Sequence, residues 1–197
     1  MKLGVCLPSR GLVHSRTLED LHHILNGTKY TLYMSHDLPI PDCFNKVVDE
    51  AMDAKCDYIW MVEEDMKLPK GILKEMLDLN KPIVTANYPV IDKIPTVIDH
   101  DGFTQFGTGC LLVKREVFEK MGKPYFRADH LYDAMTFKPV PMHPHAYGGH
   151  DIDFSLRLKD SPYKITVTKT KVGQYKIVGM GRENVNTGQH EVQEITL

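Results

Sequence analysis

Five apolar residues in a row, Tyr58-Ile59-Trp60-Met61-Val62, run without transition into three acids, Glu63-Glu64-Asp65. Successive side chains of a strand point to opposite faces, so an unbroken apolar run of this length belongs to a strand covered on both sides. Such a strand needs a layer of helices above and below it. The rest of the chain supplies that alternation. Leu3 to Leu7 is a short apolar strand that breaks at Pro8-Ser9-Arg10-Gly11. A helix over Ser15 to Leu25 stops at Asn26-Gly27, and Tyr30 to Met34 reads as the next strand. From Pro41 to Ala54 the apolar residues Phe44, Val47, Val48, Ala51 and Met52 recur at helical spacing, with Pro41 suited to a first turn.

Beyond the acids, Pro69 starts a helix that carries Ile72, Leu73, Met76 and Leu77, and Pro82 to Ala86 is a further buried strand. Ile94 to Ile98 and Phe103 to Phe106 flank Asp99-His100-Asp101-Gly102 as the arms of a hairpin do. Gly109 to Val113 adds a strand, and Arg115 to Met121 a short helix closed by Gly122. Tyr125 to Tyr147 is irregular and carries Pro139, Pro141 and Pro144; its histidine- and proline-rich part from Asp129 to Tyr147 is the expected place for an acceptor or a lid. From Tyr163 to Val178 threonine, lysine and β-branched residues alternate as in one or two exposed strands, and a polar tail follows Gly179. The order predicts one α/β domain over 1–197 with a mostly parallel sheet, whose ligands sit at the carboxyl ends of the strands.

Composition narrows the partners. The 197 residues, 42% hydrophobic and 25% charged, suit one soluble globular domain. A net charge of -2 gives no overall field to gather nucleic acid or an anionic membrane. No apolar stretch is long enough to span a bilayer, and the first apolar run ends at Pro8, too short for a signal-peptide core; the expectation is a cytoplasmic protein with no membrane span. Cys6, Cys43, Cys56 and Cys110 form no C-x-x-C pair, which argues against a zinc ribbon and predicts reduced, mostly buried thiols.

Three consecutive acids repel one another, and a divalent cation is the natural compensation. On an extended backbone Glu63 and Asp65 project the same way and can reach one hard cation, while Glu64 points elsewhere, toward a ribose hydroxyl in a nucleotide site. The competing reading is a solvated acidic turn that caps the helix near Pro69. A second acidic cluster, His150-Asp151-Ile152-Asp153 after Gly148-Gly149, favours a shared site.

These residues resemble the GT-A glycosyltransferases, and the resemblance covers most of the chain. Asp57 to Met66 followed by Pro69 is similar to their strand, D-x-D type acidic motif and proline, with Glu63 where aspartate is usual. Gly107-Thr108-Gly109-Cys110-Leu111-Leu112-Val113, leading into Arg115-Glu116-Val117-Phe118, resembles their small-residue strand and helix beneath the donor sugar, where glycine admits a ligand to the backbone. Gly149 to Leu158 resembles their G-E-D-x-D-F-x-x-R element, with His150 in place of glutamate.

The resemblance implies a GT-A Rossmann-like nucleotide-diphospho-sugar transferase fold, a mostly parallel central sheet flanked by helices. It divides the chain into a nucleotide-binding half over 1–106 and an acceptor and catalytic half over 107–197. It implies a metal-dependent enzyme that uses Mn2+ or Mg2+ to move a sugar from a nucleotide-diphosphate sugar to an acceptor hydroxyl, with inversion. Asp151 would be the catalytic base, and Asp65 and Glu63 metal ligands. Gln174 in Val172-Gly173-Gln174 stands where many relatives place a metal-binding histidine, so His190 in the tail is the expected third ligand. Pro8, Ser9, Arg10, Asp37, Asn45, Glu64 and Gly109 would surround the donor, and Tyr147, His150 and Asp153 the acceptor, a glycan or a modified nucleic-acid base.

Two points stay open at this level. Ile152, Phe154, Leu156 and Leu158 alternate as in a strand, whereas the resemblance calls for a helix, and Asp151 would also serve as that helix's N-cap. A sugar nucleotidyltransferase is a rival reading, although Pro8-Ser9-Arg10-Gly11 is poor in glycine for a triphosphate loop. Lys164, Lys169, Lys171 and Lys176 would suit a non-enzymatic nucleic-acid or glycan-binding module, which leaves both acidic clusters unexplained.

Overall fold

The double-sided burial read from Tyr58 to Val62 holds from Ile59 onward: this strand lies inside a six-stranded sheet, with Ile59, Trp60, Met61 and Val62 all at 0% exposure and Tyr58 half-buried at its start. The computed structural model describes residues 1–89, 95–100, 102–128, 131–132, 139–140, 149–179 and 191–195. In chain order the first elements are β1 (Leu3–Leu7), α1 (Ser15–Leu25), β2 (Tyr30–Met34), α2 (Asp42–Asp53) and β3 (Tyr58–Val62). Then come β4 (Met66–Lys67), α3 (Ile72–Leu79), β5 (Ile83–Thr85), β6 (Ile98–His100), β7 (Phe103–Gln105), β8 (Cys110–Lys114) and α4 (Arg115–Met121). The last are β9 (Leu131–Tyr132), β10 (Pro139–Val140), α5 (His150–Leu158), β11 (Ile165–Val167), β12 (Gly173–Gly179) and β13 (Glu191–Ile195).

The main sheet has the order β11-β5-β8-β3-β1-β2. β1 pairs in parallel with β2 and β3, and β11 with β5, whereas β8 runs antiparallel to both β3 and β5. The sheet is therefore mostly parallel with one reversed strand. Alternation along β3 divides the interior in two. Ile59 and Met61 join Val47, Val48, Phe118 and Phe154 on one face, and Trp60 and Val62 join Leu21, Leu25, Ile72 and Met76 on the other. The expected hairpin forms from β6 and β7, with shorter arms than the apolar pattern suggests; Ile94 lies outside the described residues.

Residues 150–158 are helical, against their alternating pattern. The buried positions are His150, Phe154, Ser155 and Leu158, a spacing of four, one and three, while Ile152 and Leu156 are only half-buried. Packing decides the period here. The Phe154 ring stacks on Phe126 with centroids 4.9 Å apart and meets Phe106 edge-on at 5.9 Å. Gly149, at φ 89, is the N-cap, so Asp151 sits inside the first turn and is not the cap.

The tail corrects two expectations. β11 is the edge strand of the main sheet, and Val172, Gln174 and Tyr175 are buried, not exposed. The polar stretch after Gly179 contains β13, which pairs antiparallel with β12; β12 in turn pairs with β4 to form a second sheet in the order β13-β12-β4. The pairing of Gln174 with Met66 puts the C-terminal segment directly against the acidic loop. Among the described residues no helix is long and apolar enough to cross a membrane.

Phe154→Ala is expected to remove the ring contacts that hold α5 to the sheet and to cost about 3–5 kcal/mol. The midpoint and slope of urea unfolding, compared with the parent chain, measure it.

Candidate metal and catalytic site

Parallel strands that all end at one edge leave their following loops together there. β1 ends at Leu7 and releases Pro8 to Gly11, and β3 ends at Val62 and releases Glu63 to Asp65. The reversed β8 begins where the others end, so Gly107-Thr108-Gly109 arrives at the same edge, and the Glu63 N–H donates to the Gly109 carbonyl at 3.0 Å. A cavity of about 140 Å³ opens at this edge. Its walls come from the β1 loop (Pro8, Arg10), the start of α2 (Cys43, Phe44) and the acidic loop (Glu63, Glu64, Asp65), and from His150 of α5 and Gln174 of β12.

Glu64 does not stand free toward a ribose. Its Oε1 accepts from Arg10 Nη2 at 2.7 Å and Nε at 3.2 Å, and its Oε2 accepts from the Arg10 backbone N–H at 3.1 Å. The carboxylate raises the Arg10 pKa through these bonds, and partial burial works against it. Ser9 is also spent locally. Its hydroxyl donates to Leu12 O at 3.3 Å and accepts from Gly11 N at 3.0 Å, which shapes the loop, while Ser35 Oγ accepts from Ser9 N at 2.8 Å. Asp37, at φ 54, is exposed and lies against Gly11, where an added Cβ would come 2.7 Å from Asp37 Oδ1. Asn45 turns to the backbone of Phe126, donating to its carbonyl at 2.9 Å and accepting from its N–H at 3.0 Å. This two-bond clamp fastens the residues after α4 to α2. Of the residues expected around the donor, Pro8, Arg10 and Glu64 line the cavity.

Thr108 links the two acidic segments. Its hydroxyl donates to Glu63 Oε1 at 2.7 Å, and His150 Nε2 lies 3.1 Å away. The one hydroxyl proton goes to the carboxylate, so Nε2 carries the hydrogen and Nδ1 the lone pair. That Nδ1 is buried and has no partner among the described residues. Burial lowers the His150 pKa, and the charge of Asp151 works in the opposite direction. The ring is held against Phe44, with centroids 4.4 Å apart.

Tyr88 feels the charge of both acidic segments. Burial pushes its phenol well up, and the negative charges of Glu63, Asp151 and Asp65 push it the same way. Acids of the loop after β3 and of α5 therefore act on the same phenol. Gly107 and Gly109 make room for this tyrosine: an added Cβ would lie 2.2 Å from Tyr88 Oη at Gly107, and 2.7 Å from both Tyr88 Oη and Met66 Sδ at Gly109. The close approach read as a ligand's is that of Tyr88, whose oxygen accepts from the Gly109 N–H at 2.9 Å. Nothing in Asn87-Tyr88-Pro89 marks the tyrosine in sequence; the paired glycines were the only signal.

The acidic triplet does not cap α3, whose N-cap is Gly71 with no side-chain bond. Asp151 is half-buried in the first turn of α5, and its Oδ1 accepts from Ile152 N at 2.9 Å. Asp153 is directed to Arg157, 3.8 Å away, whose guanidinium also donates to Pro124 O and Tyr125 O at 2.9 and 2.8 Å. Tyr147 and His190 lie outside the described residues. All four cysteines are free and buried; burial pushes the Cys43 thiol, beside the cavity, up to about 11, which makes it a poor nucleophile.

The donor set fits a divalent cation in kind. Glu63 and Asp65 carry hard carboxylate oxygens on one loop. Gln174 Oε1 is buried on the same wall with no hydrogen-bond partner among the described residues, a condition that costs about 1–3 kcal/mol when nothing compensates it. Among the described residues no three His, Cys, Asp or Glu side chains come together as a ligand set.

Two changes test this geometry. Gly107→Ala is expected to destabilise the chain by about 1–3 kcal/mol, read from urea unfolding, because Tyr88 cannot retreat into a packed interior. His150 gives a pH signature. Its folded pKa lies below the ordinary 6.5, so the folded state binds this proton less tightly than the unfolded chain. The stability held by the neutral ring is present above pH 6.5 and is lost as pH falls from there through the folded value. His150→Gln is expected to flatten the unfolding midpoint against pH between that value and pH 6.5.

No family profile matches the sequence, and no curated protein matches it. Solved structures do. The protein A197 from STIV superposes with a TM-score of 0.63 at 18% identity, over 91% of this chain and 87% of that one. A mutant of Drosophila β-1,4-galactosyltransferase 7, in complex with manganese, UDP-Gal and xylobiose, superposes with a TM-score of 0.52 at 17% identity, over 86% of this chain and 65% of that one. At these identities the likeness speaks for the fold: the chain has the mixed α/β architecture of the GT-A glycosyltransferases.

Proposed function

We propose that the protein is a glycosyltransferase that moves a sugar from a nucleotide-diphosphate donor to an acceptor hydroxyl, with Asp151 as base. The observation that carries this reading is the cavity at the carboxyl edge of the sheet, walled by Glu63, Glu64 and Asp65 of one segment and by His150, the chain neighbour of Asp151, of another. Three consecutive carboxylates, Glu63, Glu64 and Asp65, on one cavity wall repel one another, a cost that a merely structural turn has no need to bear. The likeness in fold to a galactosyltransferase crystallised with manganese and UDP-Gal points the same way.

Asp65 and Glu63 would hold a magnesium or manganese ion, which supplies positive charge to the leaving diphosphate. Thr108, bonded to Glu63 Oε1, fixes the orientation of that carboxylate. The Arg10–Glu64 pair braces the loop after β1 against the acidic loop, so the walls that receive the nucleotide are joined before it arrives. Asp151 would take the proton of the acceptor oxygen as that oxygen attacks the anomeric carbon from the side opposite the diphosphate, which inverts the centre. The bonds from its neighbours Ser155 Oγ to Asp151 O (2.8 Å) and Ile152 N to Asp151 Oδ1 (2.9 Å) hold the first turn in place for that role.

Calorimetric titration of nucleotide diphosphates and their sugars, with manganese and then with chelator, tests the reading: one nucleotide is expected to bind only with metal present. Asp151→Asn should leave that binding intact while turnover falls by about 10²–10⁴-fold. Asp65→Ala should lose the metal-dependent binding itself. Equal loss of donor binding in both variants would overturn the division of roles.

A further inference from the structure

The two edges of the main sheet are unlike. β11 has three residues and lies between Lys164 and Lys169, both exposed, and such brevity and charge blunt an edge. β2 runs for five residues, Tyr30-Thr31-Leu32-Tyr33-Met34, without a charge, a proline or a glycine. One side of it pairs with β1, and no described strand pairs with the other. The backbone groups of successive strand residues point to opposite sides. The Ser35 N–H donates to the Leu7 carbonyl at 3.4 Å, so Thr31 and Tyr33 also turn their N–H and C=O toward β1, and Tyr30, Leu32 and Met34 turn theirs outward. The side chains of these last three share a face: the register sets them beside Leu3, Val5 and Leu7, on the side covered by α1. Tyr30 and Leu32 are each 42% exposed there, as is Leu18 of α1 on the same side of the sheet.

We infer that a second copy of this chain covers this edge: β2 pairs antiparallel with the partner's β2 about a two-fold axis at Leu32, which joins two six-stranded sheets into one. In that register Leu32 faces the partner's Leu32, and Tyr30 faces the partner's Met34. Every outward residue then exchanges both backbone bonds with another outward residue, and a thioether meets an aromatic ring. The ends of the strand are complementary in charge. Lys29 precedes it and Asp37 follows it, both exposed, so antiparallel pairing brings opposite charges together where parallel pairing would stack like on like. Pairing of β2 with β11 of another copy would match five residues to three and would propagate head to tail without closing. Because the partner's β2 runs the other way, the carboxyl edges of the two sheets face opposite directions, and each cavity stays open to its own ligands. The inference does not depend on the glycosyltransferase reading.

Sedimentation equilibrium of the full chain, over concentrations up to about 1 mM, is expected to show a mass that rises from one chain to two, since a short strand pair buries less surface than a permanent dimer does. Leu32→Pro removes an outward N–H and leaves the bonds to β1 in place. It is expected to weaken association by about tenfold or more, two backbone bonds being lost in each dimer. Opposed residues that exchange both bonds have Cα atoms about 5.5 Å apart, within reach of a disulfide. Leu32→Cys is therefore expected to cross-link two chains under mild oxidation, whereas Thr31→Cys, set diagonally from its counterpart, is not; the four native cysteines are buried. The cysteine variants decide the register whether or not the proline variant folds. A single-chain mass at every concentration overturns the inference. So does a dimer that Leu32→Pro leaves intact, or one in which Leu32→Cys cross-links no faster than Thr31→Cys.

Discussion

The reversed strand β8 is the constraint on which the rest depends. Inserted between β3 and β5, it pairs Cys110 with Val62 and Thr85 with Leu111, and the residues before it emerge exactly where its neighbours end. Had it run parallel, Gly107-Thr108-Gly109 would leave at the opposite edge, some five residues of strand or ~16 Å away. Glu63 would then lack Thr108, and Tyr88 would lack the N–H of Gly109. The reversal thus gives the acidic loop a side-chain donor from β8's side and ties two distant stretches of sequence into one wall.

The site is held by partners chosen for charge. Carboxylates at the end of a buried strand face water on one side and an apolar interior on the other, and each is stabilised by a different device: Glu64 by a guanidinium, Glu63 by a hydroxyl, Asp151 by a backbone N–H of its own helical turn. Arg157 works one layer away, donating to the carbonyls that follow α4 while it pairs with Asp153, so α5 is anchored by charge at one end and by Phe154 at its middle. The second sheet closes the arrangement from the C-terminal side through the Tyr175 ring, which stacks on His14 at 4.7 Å, and through its hydroxyl, which donates to Asp20.

Much of the fold was legible because burial on both faces leaves a strong mark. β1, α1, β2, β3 and α4 lie within the bounds that apolar runs and their breakers suggest, and Thr108 stands between Glu63 of one acidic cluster and His150 of the other. What was not legible depends on partners far away in sequence. The period of 150–158 is set by Phe106 and Phe126, not by its own alternation. Val172 to Tyr175 reads as a surface strand until β4 is seen to cover it, and β13 is polar because its pairing is a backbone matter. Among the site residues, Asn45 and Ser9 have their polar atoms committed to the backbone of Phe126 and of the β1 loop, partners that sequence spacing does not reveal.

The tyrosine lodged over two glycines has a consequence for how this sequence can drift. Tyr88, Gly107 and Gly109 occupy one volume, so none of the three can change by itself without either a clash or a hole. A lineage that first shrinks position 88 would release both glycines at once, and alanine or serine could then settle there at no cost in packing. In an alignment these positions should vary as a linked trio, and a relative with a small residue at 88 is the one in which the glycines have lost their meaning.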